Sequence, residues 1–92
     1  MDTNHKTFTV IYSEGFFDDL ENIPVKNALS ILDGIDRLEC FPEMGKETIN
    51  PKWKGYRYLI IKDFVIFYTI DFIRKTVNVE FAKHGKMEMF NQ

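Results

Sequence analysis

One cysteine, two histidines and three prolines are all that this 92-residue chain holds of the residues that staple, ligate or interrupt. Cys40 has no partner for an internal disulfide, and a secreted domain of this size usually needs several, so a reducing, cytoplasmic setting is expected. His5 and His84 lie far from each other and from Cys40 and show no ligand spacing, so neither a structural metal nor a cofactor is expected. No apolar run approaches the roughly 18 residues of a membrane span, and the polar first six residues show no signal peptide. A strong charge of one sign is also missing. Lys and Arg total 12 against 14 Asp and Glu, a net of −2, which argues against a protein held to nucleic acid by bulk electrostatics.

What the chain has is apolar and aromatic material. Hydrophobic residues make up 45% and aromatics 15%, with nine Phe, which excludes global disorder and supplies a core for one domain, residues 1–92. The charge is unevenly spread. Residues 1–43 carry three cations and nine anions, and residues 44–92 carry nine cations and five anions. An acidic first half and a basic second half leave room for a local anionic partner that the total conceals.

Periodicity gives the elements. Residues 7–12 alternate as a strand with Phe8, Val10 and Tyr12 on one side. Ser13 is an N-cap, and Phe16, Phe17, Leu20 and Ile23 follow at helical spacing with acidic residues between them. Pro24 ends this helix. A longer one is predicted from Val25 to near Phe41, burying Val25, Ala28, Leu29, Leu32, Ile35 and Leu38. Asp18, Asp19, Glu21, Asp33, Asp36 and Glu39 read as its solvated acidic surface and that of its neighbour. Residues 42–52 have turn chemistry and read as a loop. Residues 56–61 and 64–70 form a tight hairpin about Lys62 and Asp63, the second strand apolar on both sides and central. Residues 76–82 form a last strand with Val77, Val79 and Phe81 inward. The fold class is α+β: an N-terminal strand and an antiparallel helical hairpin packed on a mostly antiparallel sheet of four to five strands.

Chemistry concentrates in two clusters, residues 52–57 (Lys52, Trp53, Lys54, Gly55, Tyr56, Arg57) and residues 83–86 (Lys83, His84, Gly85, Lys86). Cations neutralise phosphate, aromatic rings stack on unpaired bases, and His titrates near neutrality. If the sheet joins the clusters, they suit an RNA backbone. Each member also has a plainer reading. Lys54 and Arg57 serve as solubilising charges, Trp53 as a core or lid residue, and His84 as a turn residue. Met87, Met89 and Phe90 read as a last strand or docking edge, and Cys40 as a small hydrophobe.

From Thr7 to Phe90 the chain resembles the RelE/ParE superfamily of bacterial toxins from type II toxin–antitoxin modules. The resemblance rests on residues 19–24 (DLENIP), 41–46 (FPEMGK), 53–57 (WKGYR) and 63–68 (DFVIFY), and on an ending, His84-Gly85-Lys86, similar to the His-Gly-Arg-Arg finish of many members. It implies a cognate antitoxin as partner. It also implies one of two activities: RelE-like and YafQ-like members cut messenger RNA in the ribosomal A site, whereas ParE-like members poison DNA gyrase. Residues 53–57, Asp63-Phe64, His84 and Phe90 look like the YafQ branch. Against that pattern, Val65 stands where RelE-like enzymes carry Arg, and two further His of YafQ are missing. The resemblance therefore implies a toxin acting by ribosome-dependent cleavage of mRNA, a metal-independent endoribonuclease. In it His84 is the acid or base, Asp63 orients or exchanges protons, and Arg57 and Lys86 stabilise phosphate charge. Lys52, Trp53, Lys54 and Phe90 bind the RNA. A non-enzymatic gyrase inhibitor, or a decayed member that only binds its antitoxin, remains open beside it.

Overall fold

The computed structural model describes residues 7–85. Strand β1, Thr9–Tyr12, is the first element of the described residues, with Phe8, Val10 and Tyr12 packed toward the core as the alternation predicts. Ser13 caps helix α1, Glu14–Glu21: its hydroxyl oxygen accepts the Phe16 N–H at 3.0 Å and its hydroxyl donates to the Glu80 carbonyl at 2.8 Å. One serine thus starts a helix and fastens it to the last strand. Phe16, in the first turn, is fully buried.

After a short connection, helix α2 spans Val25–Asp36 and tightens into a 3₁₀ turn, Arg37–Glu39. It ends earlier than the predicted boundary near Phe41. Its buried stripe is also rotated. Ile31, Ile35 and Leu38 are fully buried and Ala28 and Leu32 partly so, while Val25 and Leu29, expected inside, are 74% and 62% exposed. The spacing 28, 31, 35, 38 follows the helical period from the contact with the sheet. Val25 and Leu29 fall to its flank.

Among the described residues the sheet has five strands in the order β1-β5-β4-β3-β2, β1 parallel to β5 and all other pairs antiparallel. Within the predicted loop lies β2, Lys46–Glu47, too short to show a period, between 3₁₀ turns at Pro42–Met44 and Pro51–Trp53. Strands β3, Arg57–Ile61, and β4, Phe64–Asp71, meet at Lys62 and Asp63, whose φ values of 51° and 67° are those of a two-residue type I′ hairpin. β4 is central, and Val65, Ile66, Phe67 and Tyr68 are all buried.

Strand β5, Thr76–His84, changes parity midway. Phe67 pairs with Phe81 but Tyr68 pairs with Val79, so Glu80 is an extra residue in a β-bulge. Val77 and Val79 face the helices as expected. Phe81, expected beside them, turns to the opposite face, because one inserted residue reverses every later side chain. There it joins Phe67, Trp53 and Tyr56 in a second, aromatic layer, with Trp53 stacked on Phe67 at 4.9 Å. Asp19, expected in the acidic solvated surface, accepts the Ala82 N–H at 3.0 Å and pairs with Lys83 at 3.1 Å, so α1 covers the part of β5 that β1 does not reach.

Candidate functional site

The structure sends the predicted site residues to two ends of the sheet. At the hairpin end are Asp63, Phe64 and His84. Phe64 and His84 are cross-strand partners with ring centres 5.4 Å apart, edge to face, and His84 is exposed. The Gly85 N–H donates to the Asp63 carbonyl at 2.8 Å, and a Cβ at Gly85 would stand 3.1 Å from that oxygen, so a small residue allows β5 to reach the turn. It is the Asp63 backbone that makes this contact. Lys86 and Phe90, and the expected strand around Met87 and Met89, lie outside the described residues.

At the other end are Lys52, Trp53, Lys54 and Arg57. Asn50 caps the 3₁₀ turn by accepting the Lys52 N–H at 2.9 Å, and the Thr48 hydroxyl donates to the Trp53 carbonyl. Lys52 and Lys54 are exposed. Trp53 lies against Phe67 at an interplanar angle of 17° and meets Tyr56 and Phe81 edge-on. One face of its indole is therefore taken by the protein. Its Nε1 is buried without a hydrogen-bond partner among the described residues.

Arg57 is the anchor of a clamp. Its guanidinium donates to the carbonyls of Gly45 at 2.7 Å and Glu43 at 3.4 Å and pairs with the Glu47 carboxylate at 3.2 Å. Beside it the Tyr68 hydroxyl donates to the Pro42 carbonyl at 2.7 Å and accepts the Gly45 N–H at 2.9 Å. Burial raises the Tyr68 pKa above its ordinary value of 10.0 and the Glu43 charge adds to this, while the Gly45 N–H and Arg57 pull the other way. A Cβ on Gly45 would come within 2.5 Å of the Tyr68 hydroxyl and 2.7 Å of the Tyr58 carbonyl, so this loop can lie on the sheet only with glycine there. Glu43, Gly45, Glu47 and Tyr68 were not among the sequence candidates. A phenol in the mostly apolar central strand was the available signal, since a buried Tyr must find a partner.

The two ends are not one site. Arg57 is four residues along β3 from Ile61, the residue before the hairpin turn, or about 13 Å of strand. The geometry unites Asp63 with His84 and Trp53 with the aromatic layer, and it keeps Arg57 away from His84. Among the described residues no group of three His, Cys, Asp or Glu side chains is placed to hold a metal.

Two helices on this five-stranded mixed sheet form a fold shared with chains of toxin–antitoxin assemblies. A chain of the RelBE2 toxin–antitoxin complex from Mycobacterium tuberculosis superposes with a TM-score of 0.76 at 18% identity, covering 85% of this chain and 98% of that one. A chain of the chromosomal ParDE system of P. aeruginosa gives 0.68 at 14% identity, with 85% and 96% covered. A chain of the archaeal RelE–RelB complex from Pyrococcus horikoshii OT3 gives 0.65 at 17%, with 87% and 97% covered. No curated protein matches in sequence. The family described as the ParE toxin of the type II toxin–antitoxin system parDE matches residues 10–88. The chain belongs to the ParE toxin family and is a toxin of a type II toxin–antitoxin system.

Proposed function

We propose that this toxin arrests growth by binding a protein target, in the ParE manner of inhibiting DNA gyrase, and that a cognate antitoxin holds it inactive. The observation that carries this reading is the occupation of Arg57. Cleaving RNA requires an acid or base and a cation gathered on one phosphate, with donors within about 3 Å of the developing charge. Of the two cations that the sequence offers for this purpose, Lys86 lies outside the described residues and Arg57 holds the carbonyls of Gly45 and Glu43 and the carboxylate of Glu47. It also stands a strand's length from His84. The family match supports the ParE manner, and the toxin–antitoxin complexes among the similar structures support the antitoxin.

A second reading, YafQ-like cleavage of messenger RNA on the ribosome, is favoured by one observation: the hairpin turn carries Asp63 and Phe64 to His84 and Gly85. In that reading His84 exchanges the proton, Lys86 meets the phosphate, and Lys54 and Phe90 hold the RNA.

Inducing the chain without antitoxin, mapping messenger ends, and assaying gyrase supercoiling with purified toxin separates the two. Intact transcripts with impaired supercoiling are expected. Cut transcripts with normal supercoiling would contradict the proposal.

A further inference from the structure

We infer that a groove at the Arg57 end is the surface by which this toxin meets its target, and that it receives an acidic protein segment carrying an apolar anchor. The inference rests on the reading that the toxin acts by binding protein. The groove, about 500 Å³, lies between residues 47–57 and the end of β4 and is lined on its apolar side by Ile49, Pro51, Ile70 and Phe72. Ile49 is 93% exposed, Phe72 56%, and Ile73, next in the chain, 95%. Single exposed aliphatics are ordinary on a monomer. Here Ile49 and Phe72 converge on one concavity, and Ile73 follows Phe72 at its rim.

Charge identifies the occupant. Residues 47–57 and 70–76 carry Lys52, Lys54, Arg57, Arg74 and Lys75 against the two carboxylates of Glu47 and Asp71. Arg57 is engaged in the clamp and Arg74 lies 4.0 Å from Asp71, whereas Lys52 and Lys54 make no ion pair among the described residues. A basic rim around an apolar floor complements an acidic segment with a Leu-like anchor.

Both walls are held before any partner arrives. The Asp71 carboxylate accepts the N–H groups of Ile73 and Arg74 at 3.0 and 2.9 Å, fixing the β4–β5 tip, and Asn50 and Thr48 fix the facing turn. A preformed groove spares the ordering cost of binding. RNA fits it less well. Bases seek open aromatic planes, and of the nearby rings Trp53 and Tyr56 pack on Phe67 and Phe81 while Phe72 meets Phe8 edge to face.

The test compares growth arrest by the full chain with Ile49→Ser/Ile73→Ser and with Lys52→Gln/Lys54→Gln, each also co-purified with the antitoxin and melted. The Ser pair sits at surface positions and should keep both its melting temperature and its antitoxin. Survival on induction should rise about tenfold, the loss expected of an interface anchor, with a smaller rise for the Gln pair. Arrest unchanged in the Ser pair overturns the inference, as does an absence of arrest in the wild type. Loss of arrest together with antitoxin binding assigns the groove to the antitoxin and also overturns it. Loss in the Gln pair alone, with the Ser pair fully toxic, makes the occupant a nucleic acid and overturns it. If the wild type leaves gyrase supercoiling untouched while the Ser pair still loses arrest, the gyrase reading fails and the groove stands.

Discussion

At one end of the sheet a two-residue turn is held by backbone geometry and an N–H from Gly85; at the other, Tyr68 and Arg57 pin a loop through hydrogen bonds that are partly or wholly buried. The hairpin end leaves His84 exposed beside Phe64. The clamp end spends its arginine and tyrosine on main-chain carbonyls and an N–H, and so presents the groove residues from a fixed frame. The difference teaches that residue types suited to chemistry are allocated here by architecture: a cation satisfying carbonyls is structural however well its charge would suit a phosphate.

The contrast can be broken hardest at Gly45. Gly45→Ala should destabilise by up to about 3 kcal/mol, because the new methyl group meets both the Tyr68 hydroxyl and the Tyr58 carbonyl. Denaturant unfolding measures it. Tyr68→Phe comes next. It strands the Gly45 N–H and the Pro42 carbonyl at a cost of about 2 kcal/mol. Arg57→Ala should cost about 1–2 kcal/mol, the exposed Glu47 partner adding little, and Arg57→Lys should not restore it because an ammonium lacks the planar fork. At the opposite end the sign reverses. Lys62→Gly should stabilise by about 1 kcal/mol, since Lys62 sits at φ 51°, and should leave growth arrest unchanged.

The smallest effect is alkaline. Burial raises Tyr68 and Tyr12 above 10.0, with the charges of Asp36 and Glu39 adding to the effect at Tyr12. A phenol with a raised folded pKa contributes stability that is complete below its unfolded value and is lost as pH climbs through the folded one. Melting temperature should therefore decline above pH 10, and less steeply in Tyr12→Phe.

The elements were legible where the signal is local. Ser13 ahead of an apolar helix, two residues between two apolar runs, and alternation along β1 each fix structure within a few positions. Non-local features were not legible. The bulge at Glu80 is set by how β5 must pair with β4 and lie against α1, and no residue at that point announces it, so alternation alone puts Phe81 on the wrong face. Ile31 does not stand out as core because α2 is apolar on more than one side, and only contact with the sheet selects the buried stripe. The site divided for the same reason. Both clusters stood out by composition, but how far apart they lie depends on register, which places Arg57 opposite Tyr68 and His84 opposite Phe64.

The most direct measurement is growth arrest by His84→Ala expressed without antitoxin, alongside the wild type. A toxin that works by binding through the clamp end retains its arrest in this variant, whose exposed side chain contributes little to stability. Loss of arrest in a variant that still folds and still binds its antitoxin would contradict that account and place the activity at the hairpin end.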